Sequence, residues 1–221
     1  MALDDYQVDV FLHEVRNPLT TLTVLIRLLQ KRLGHDDANF DLTVSLLREC
    51  QRLESMVAQL KDHGADRVPP YRVMPFLTDL YPVYAALVRS HDLHLEWQVD
   101  PDLALVHIYL APDSFRQVLD NLIHNACKYN RPGGQVSLVA QGDPAHQTMQ
   151  LIIGDSGCGL TPEQQAQMFA PYQRFSDDQP GQGLGLAIVK AVLEKAHGSI
   201  EVKSVPDQGS QFIVTLPATY A

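Results

Sequence analysis

The fold of the C-terminal part of the chain is decided by one stretch, Arg116-Gln-Val-Leu-Asp-Asn-Leu-Ile-His-Asn-Ala-Cys-Lys-Tyr129. Its apolar residues recur at helical spacing and predict an amphipathic helix from about Ala111 to Tyr129. Asn121 and Asn125 lie one turn apart on this helix, although asparagine is unfavourable in helix interiors. A carboxamide oxygen is a hard ligand that suits Mg²⁺. The pattern predicts a polar site, with an ordinary amphipathic helix as the alternative.

Two glycine-containing segments follow. The first, Ile152-Ile-Gly-Asp-Ser-Gly-Cys-Gly-Leu160, places Asp155 at the end of a predicted strand. Gly157 and Gly159 would let a ligand approach the backbone there, although a plain glycine-rich turn is the alternative. The second, Gly181-Gln-Gly-Leu-Gly-Leu-Ala-Ile-Val-Lys190, leads into an apolar helix whose first N–H groups could receive phosphates. Its glycine spacing is neither that of a Walker A loop nor that of a dinucleotide fingerprint.

The N-terminal segment has a different period. Apolar residues alternate at spacings of four and three from Val8 to Leu33, and a second series extends from Leu46 to Gly64. The polar segment 34–37 separates the two series, which predicts two long helices joined as an antiparallel hairpin. Each apolar stripe is wider than a two-helix seam requires, so we expect two copies to form a four-helix bundle. A monomeric hairpin packed on the second domain is the alternative.

A helix-ending glycine and a proline pair between His63 and Pro70 mark the domain boundary. We therefore expect two domains, 1–66 and 67–221. The second is predicted to be a two-layer α+β domain, with helices beside a mostly antiparallel sheet. Its expected helices are 74–90, 111–129 and 183–197, and its expected strands are 94–99, 105–109, 135–141, 148–154, 200–204 and 211–216.

The first predicted helix contains a local conflict in the segment Phe11-Leu-His-Glu-Val-Arg-Asn-Pro-Leu-Thr20. Pro18 removes a helical hydrogen bond within the heptad series. His13 follows a seam residue and can face solvent, with Glu14 beside it and Asn17 one turn later. Local conflicts of this kind often mark functional sites. For these residues alone, a solvated helix face is the alternative.

In this order and spacing, the segments together resemble the transmitter core of the sensor histidine kinases of two-component systems. The similar motifs are the H-box (His13, Glu14, Asn17 and Pro18), the N-box (Asn121–Tyr129), the G1 box (Asp155–Gly159), the F-box region (Phe169 and Phe175) and the G2 box (Gly181–Leu186). The resemblance implies a dimerisation and histidine-phosphotransfer hairpin followed by a domain of the Bergerat (GHKL-type) ATP-binding fold. Pro171 and Tyr172 replace residues that are commoner in the family's lid.

The resemblance also implies roles for individual residues. Asp155 would accept a hydrogen bond from the adenine amino group, and Asn125 would hold Mg²⁺. The other nucleotide-binding residues would be Asn121, Lys128, Tyr129, Gly157, Gly159, Arg174, Gly181, Gly183, Leu184, Gly185 and Leu186. His13 would attack the γ-phosphorus of ATP, Glu14 would fix its tautomer, and Asn17 would orient water for dephosphorylation of the partner. That partner would be the receiver domain of a response regulator.

The composition of the chain excludes several further classes of protein. The chain has 17 Lys+Arg and 26 Asp+Glu, a net charge of −9, which argues against a general nucleic-acid binder. It has no apolar stretch of membrane-spanning length and no signal peptide, and its 3 cysteines are too few for a disulfide framework or a zinc site. We therefore expect a soluble, cytoplasmic protein.

Three other functions remain open at this point. A gyrase- or Hsp90-like ATPase or a serine kinase would use the same ATP-binding fold without needing His13, and a scaffold would bind nucleotide without turnover. Because few residues precede His13, we also expect the chain to be the core of a longer sensor.

Overall fold

The computed structural model describes residues 69–173, Phe175 and residues 183–220. It also describes ten positions nearer the N-terminus: Leu22, Thr23, Leu25, Ile26, Leu29, Asn39, Thr43, Leu46, Cys50 and Leu53. The chain divides into two compact units, Met1–Arg67 and Val68–Ala221.

The described positions of the N-terminal unit are helical, apart from Asn39, which lies in a turn. Ile26 and Cys50 are buried and form a small apolar cluster. Five leucines are in contrast about half exposed: Leu22 (48%), Leu25 (56%), Leu29 (46%), Leu46 (52%) and Leu53 (46%). At these positions the chain covers only part of its own apolar stripe. The hairpin as a whole stays a prediction, because most of it lies outside the described residues.

The C-terminal unit contains four α-helices, one 3₁₀ helix and seven strands within its described residues. The α-helices are α1 (Val73–Ser90), α2 (Pro112–Lys128), α3 (Pro162–Gln167) and α4 (Gly185–Lys195), and the 3₁₀ helix is Pro101–Leu105. The strands are β1 (Tyr71–Arg72), β2 (His94–Val99), β3 (Val106–Ile108), β4 (Gln135–Asp143), β5 (Thr148–Asp155), β6 (Ser199–Val205) and β7 (Gly209–Tyr220).

The strands form one sheet in the order β1-β3-β7-β5-β4-β2, and β6 pairs with β7 as well. One edge of β7 pairs with β5 over most of its length. Its other edge pairs with β6 near its start and with β3 near its end. The described pairs are antiparallel except that of β2 with β4, which is parallel.

The core lies between this sheet and its helices. Alternate residues of β5 point inward, so Met149, Leu151 and Ile153 are fully buried. They share one apolar cluster with residues of all three longer helices, among them Leu77, Phe115, Leu119, Leu122, Val189 and Leu193. The predicted two-layer α+β architecture is therefore confirmed for this unit. No helix among the described residues is long and apolar enough to span a membrane.

Candidate active site

Helix α2 supplies most of the polar residues of the candidate site. It begins at Pro112, whose fixed φ suits the first helical position, and it has Asp113 in its first turn and Lys128 in its last. Its apolar face, including Phe115, Leu119 and Leu122, is fully buried. The opposite face therefore carries the polar residues of the predicted site.

Asn121 brings α2 against the second glycine segment. Its Nδ2 donates to the carbonyl of Gln117 one turn back, at 2.8 Å. Its Oδ1 would lie only 2.6 Å from a β-carbon placed on Gly185, so a side chain at residue 185 would collide with it. Gly185 is the first residue of α4, and the helix has no side-chain cap at Leu184. The first N–H groups of α4 are therefore not used by a capping side chain.

Asn125 lies one turn after Asn121 on the same face of α2. It is half buried, and its carboxamide has no hydrogen-bond partner among the described residues. Among those residues, no group of three or more His, Cys, Asp or Glu side chains could hold a metal ion. A single protein oxygen still fits Mg²⁺, because this ion usually keeps waters and substrate phosphates as its other ligands.

Lys128 and Tyr129 end α2 as a contacting pair. The Lys128 Nζ donates to the Tyr129 hydroxyl at 2.9 Å and lies 4.6 Å from the centre of its ring. Both side chains are half buried. The lysine charge is thereby held close to the end of α2, where it could meet an anion.

Asp155 is the last residue of β5 and lies close to that end of α2. Its Oδ1 accepts a hydrogen bond from the Gly157 N–H at 2.8 Å, and the Cys158 N–H donates to the Tyr129 carbonyl at 3.1 Å. A β-carbon on Gly157 would lie 2.1 Å from that carbonyl oxygen. Because Gly157 has no side chain, the backbone at this residue can lie close to the Tyr129 carbonyl.

Burial raises the pKa of the Asp155 carboxyl above its usual value, against the opposing effect of hydrogen bonds from Gly157 and Ser210. A half-buried carboxylate with spare acceptor capacity is suited to recognising a hydrogen-bond donor. Gly159 lies two residues beyond Gly157 and is placed against the Val205 carbonyl.

The segment that leads towards α4 is anchored at both of its described ends. Met168 is buried, Phe169 packs on the core, and the Lys190 Nζ lies 6.0 Å from the Phe169 ring. Gly183 has a φ of +68°, and a β-carbon there would lie 2.4 Å from the Gln173 carbonyl oxygen. Both the conformation and the contact therefore require glycine at this position. Leu184 is half buried, and Leu186 packs on the core.

Five predicted site residues lie outside the described residues: His13, Glu14, Asn17, Arg174 and Gly181. The structure brings together the others from α2, the end of β5 and the start of α4. Sequence reasoning missed Asn130 and Ser156, which join the end of α2 to the end of β5. Their only local signal was that each directly follows a predicted site residue.

Comparisons with known proteins agree with this arrangement. Residues 111–220 match the family of histidine kinase-, DNA gyrase B- and HSP90-like ATPases. Sensor histidine kinase AtsR of Burkholderia thailandensis is 29% identical over 93% of this chain, and adaptive-response sensory kinase SasA of Synechococcus elongatus is 32% identical over 93%. The chain spans 36% of the length of AtsR and 57% of that of SasA.

Two solved structures are also similar. The mycobacterial sensor histidine kinase MprB has a TM-score of 0.58 and 26% identity, covering 69% of this chain and 99% of that one. Full-length ShkA in complex with AMPPNP has a TM-score of 0.64 and 23% identity, covering 99% of this chain and 47% of that one, which shows a likeness of fold alone.

The fold and the site thus define the C-terminal unit as a GHKL-type ATPase domain. The chain belongs to the sensor histidine kinases.

Proposed function

We propose that this chain phosphorylates its own His13 with ATP and passes the phosphoryl group to an aspartate of a response regulator. The observation that carries the proposal is that α2 contacts both glycine segments. Asn121 lies against Gly185 at the start of α4, and Tyr129 lies against Gly157 beside Asp155. One helix therefore connects a helix start that could bind phosphates with a half-buried carboxylate that could recognise a base.

Each part of a nucleotide would meet different residues of this site. Asp155 would accept a hydrogen bond from the adenine amino group. The uncapped N–H groups of α4 and the Lys128 side chain would bind phosphate oxygens. Arg174, Gly181 and Gly183 would complete the part of the site that binds the phosphates. Asn125 would hold Mg²⁺, which when bound neutralises phosphate charge.

The chemical step is a phosphoryl transfer to imidazole. A neutral ring nitrogen of His13 would form a bond to the γ-phosphorus while the bond from that phosphorus to the β–γ bridging oxygen breaks, releasing ADP. Glu14 would accept a hydrogen bond from the other ring nitrogen and stabilise the positive charge that develops there. Loss of that nitrogen's proton to water then leaves a neutral imidazole ring that carries the anionic phosphoryl group as a phosphoramidate.

The test is incubation of the chain with γ-labelled ATP and Mg²⁺, followed by treatment of the labelled protein with acid or alkali. We expect label that is lost in acid and kept in alkali, because a phosphoramidate hydrolyses when its nitrogen is protonated. Label that resists acid would instead indicate a serine kinase. ATP hydrolysis without label would indicate a gyrase- or Hsp90-like ATPase, and binding without either would indicate a scaffold.

We also propose that the chain acts as a homodimer through its N-terminal helices. The support is the row of half-exposed leucines, which one copy leaves uncovered although Ile26 and Cys50 are buried. Burying such side chains against a second copy is favourable, at about 1.5–3 kcal/mol for a fully buried leucine. A four-helix bundle made from two hairpins would accomplish this.

Replacing Leu46 and Leu53 together by Glu is expected to convert the dimer to a monomer, because charge on the covered face is costly to bury. Sedimentation equilibrium measures the change. Leu105→Glu is the matched control, since Leu105 is 56% exposed but lies in the C-terminal unit; it should stay dimeric. A dimeric double variant, or a monomeric wild type, would contradict the proposal.

Three finer points belong to the same proposal. Asn17 would orient water for dephosphorylation of the regulator, and the chain would be the cytoplasmic core of a longer sensor. The cysteines Cys50, Cys127 and Cys158 are all free, in keeping with a reducing compartment.

A further inference from the structure

Asn130 lies at the junction of α2 and β4, and all the hydrogen-bonding capacity of its carboxamide is used. Its Nδ2 donates to the carbonyls of Ala126 at 3.0 Å and Gln135 at 2.9 Å. Its Oδ1 accepts from the Arg131 N–H at 3.0 Å and from the Ser156 hydroxyl at 3.1 Å. A side chain with two donors and two acceptors engaged is fixed in position.

Ser156 is held from the other side by β4. Its Oγ accepts from the Gln135 N–H at 2.8 Å, and its own N–H donates to the Gln135 carbonyl at 3.1 Å. Gly134 leaves room for this pairing, because a β-carbon there would lie 2.2 Å from the Asn130 Oδ1 and 2.7 Å from the Ser156 Oγ. We name the bonded pair of Asn130 and Ser156 the clip.

The clip joins two parts of the site that are distant in sequence. Asn130 directly follows Tyr129, and Ser156 directly follows Asp155. The Cys158 N–H bond to the Tyr129 carbonyl lies two residues further on. Gly157, whose N–H donates to the Asp155 Oδ1 at 2.8 Å, is therefore held between two fixed points. Loss of the clip would leave Ser156 held by Gln135 alone and would loosen the backbone that aims the carboxylate.

We propose that Asn130 and Ser156 are positioning residues that set how strongly the site distinguishes adenine from other bases. This inference rests on the proposed function, in which Asp155 accepts a hydrogen bond from the adenine amino group. A misdirected carboxylate weakens that bond, whereas the contacts to the phosphates come from α2 and α4 and are unchanged.

The test compares the affinity of the full chain for ATP and for ITP, which carries an oxygen in place of the adenine amino group. In Asn130→Ala and Ser156→Ala we expect ATP affinity to fall about threefold to tenfold, on the scale of one hydrogen bond, while ITP affinity changes little. The ratio of the two affinities is the readout. A general loss of folded protein lowers both affinities equally and leaves the ratio unchanged.

Neighbouring glycines supply a matched pair of variants. Gly134→Ala places a methyl group against both members of the clip, and it should lower the ratio as the alanine variants do. Gly133→Ala meets nothing within 4 Å and should keep the wild-type ratio, even if its φ of +67° costs stability. Ser199→Ala, at an exposed position of β6, is the control for Ser156→Ala.

The outcomes separate the two proposals. A wild-type ratio in Asn130→Ala, Ser156→Ala and Gly134→Ala would overturn the clip alone. Equal ATP and ITP affinity in the wild type would overturn the proposed role of Asp155, and the clip with it. A lowered ratio in the three variants, with both controls unchanged, would establish the clip.

Discussion

His13→Gln is expected to take up no phosphate from γ-labelled ATP while binding ATP as tightly as the wild type. A glutamine amide is not nucleophilic, whereas an imidazole with a pKa near 6.5 is largely neutral and nucleophilic at pH 7. The described nucleotide-site residues all belong to the C-terminal unit, so binding should not depend on this side chain. Autoradiography measures the incorporated phosphate, and equilibrium dialysis measures the affinity for ATP.

The control for this experiment is His146→Gln. His146 lies exposed in the turn between β4 and β5, where its Nδ1 contacts Asp143 at 2.7 Å, and its replacement should leave labelling unchanged. The chain has 9 histidines. Acid-labile label that persists in His13→Gln would therefore move the phosphorylation site to another of them.

Asp155→Asn is expected to weaken ATP binding by about a hundredfold. The substitution keeps the shape of the side chain but removes the charge, and a hydrogen bond to a charged group contributes about 1.5–3 kcal/mol. ITP affinity should fall far less, because ITP has no amino group to donate. Isothermal titration calorimetry measures both, and equal losses for the two nucleotides would contradict the assigned role.

The same substitution is expected to stabilise the fold at pH 7. Burial raises the pKa of Asp155, so ionising this carboxyl costs more in the folded protein than in the unfolded chain, and stability is lost as pH rises through that raised pKa. A neutral asparagine avoids this loss. The gain in free energy of unfolding should vanish below about pH 4, where the aspartate is protonated in the unfolded chain too. Urea unfolding at a series of pH values measures it.

Asp143→Asn is expected to have the opposite effect and to lower the free energy of unfolding at pH 7. The hydrogen bonds of His146 lower the pKa of Asp143, so its carboxylate stabilises the fold above its unfolded pKa, and replacement should remove that contribution at pH 7. The effect should be small, because Asp143 is solvent-accessible. A stabilised Asp143→Asn would show that the two carboxylates are not distinguished by burial.

Much of the C-terminal fold was predictable because its signals are local. The predicted helix 111–129 is observed as Pro112–Lys128, and the strand predicted at 94–99 has those bounds. Helix α3 was missed, although Thr161 and Gln164 form a capping box with Pro162 at the first helical position. That signal was present in the sequence, but the helix has only 6 residues and no buried face.

Other features could not be read locally because they depend on distant partners. Strand β1 has 2 residues and exists through its pairing with β3. The final strand was expected at 211–216 but spans Gly209–Tyr220, since three neighbours pair with it. The same holds for Asn130 and Ser156, which look like ordinary turn residues until the fold places them side by side.

The length of β7 has a mechanical consequence. At about 3.3 Å per residue its 12 residues extend for roughly 36 Å. One end is joined through β3 to Tyr71, just after the chain enters this unit, and at the other end Ser210 is paired with Asp155. Strand β7 thus connects the start of the unit with Asp155, the carboxylate proposed to recognise the base, so a force applied at Tyr71 would be transmitted along paired strands to this residue.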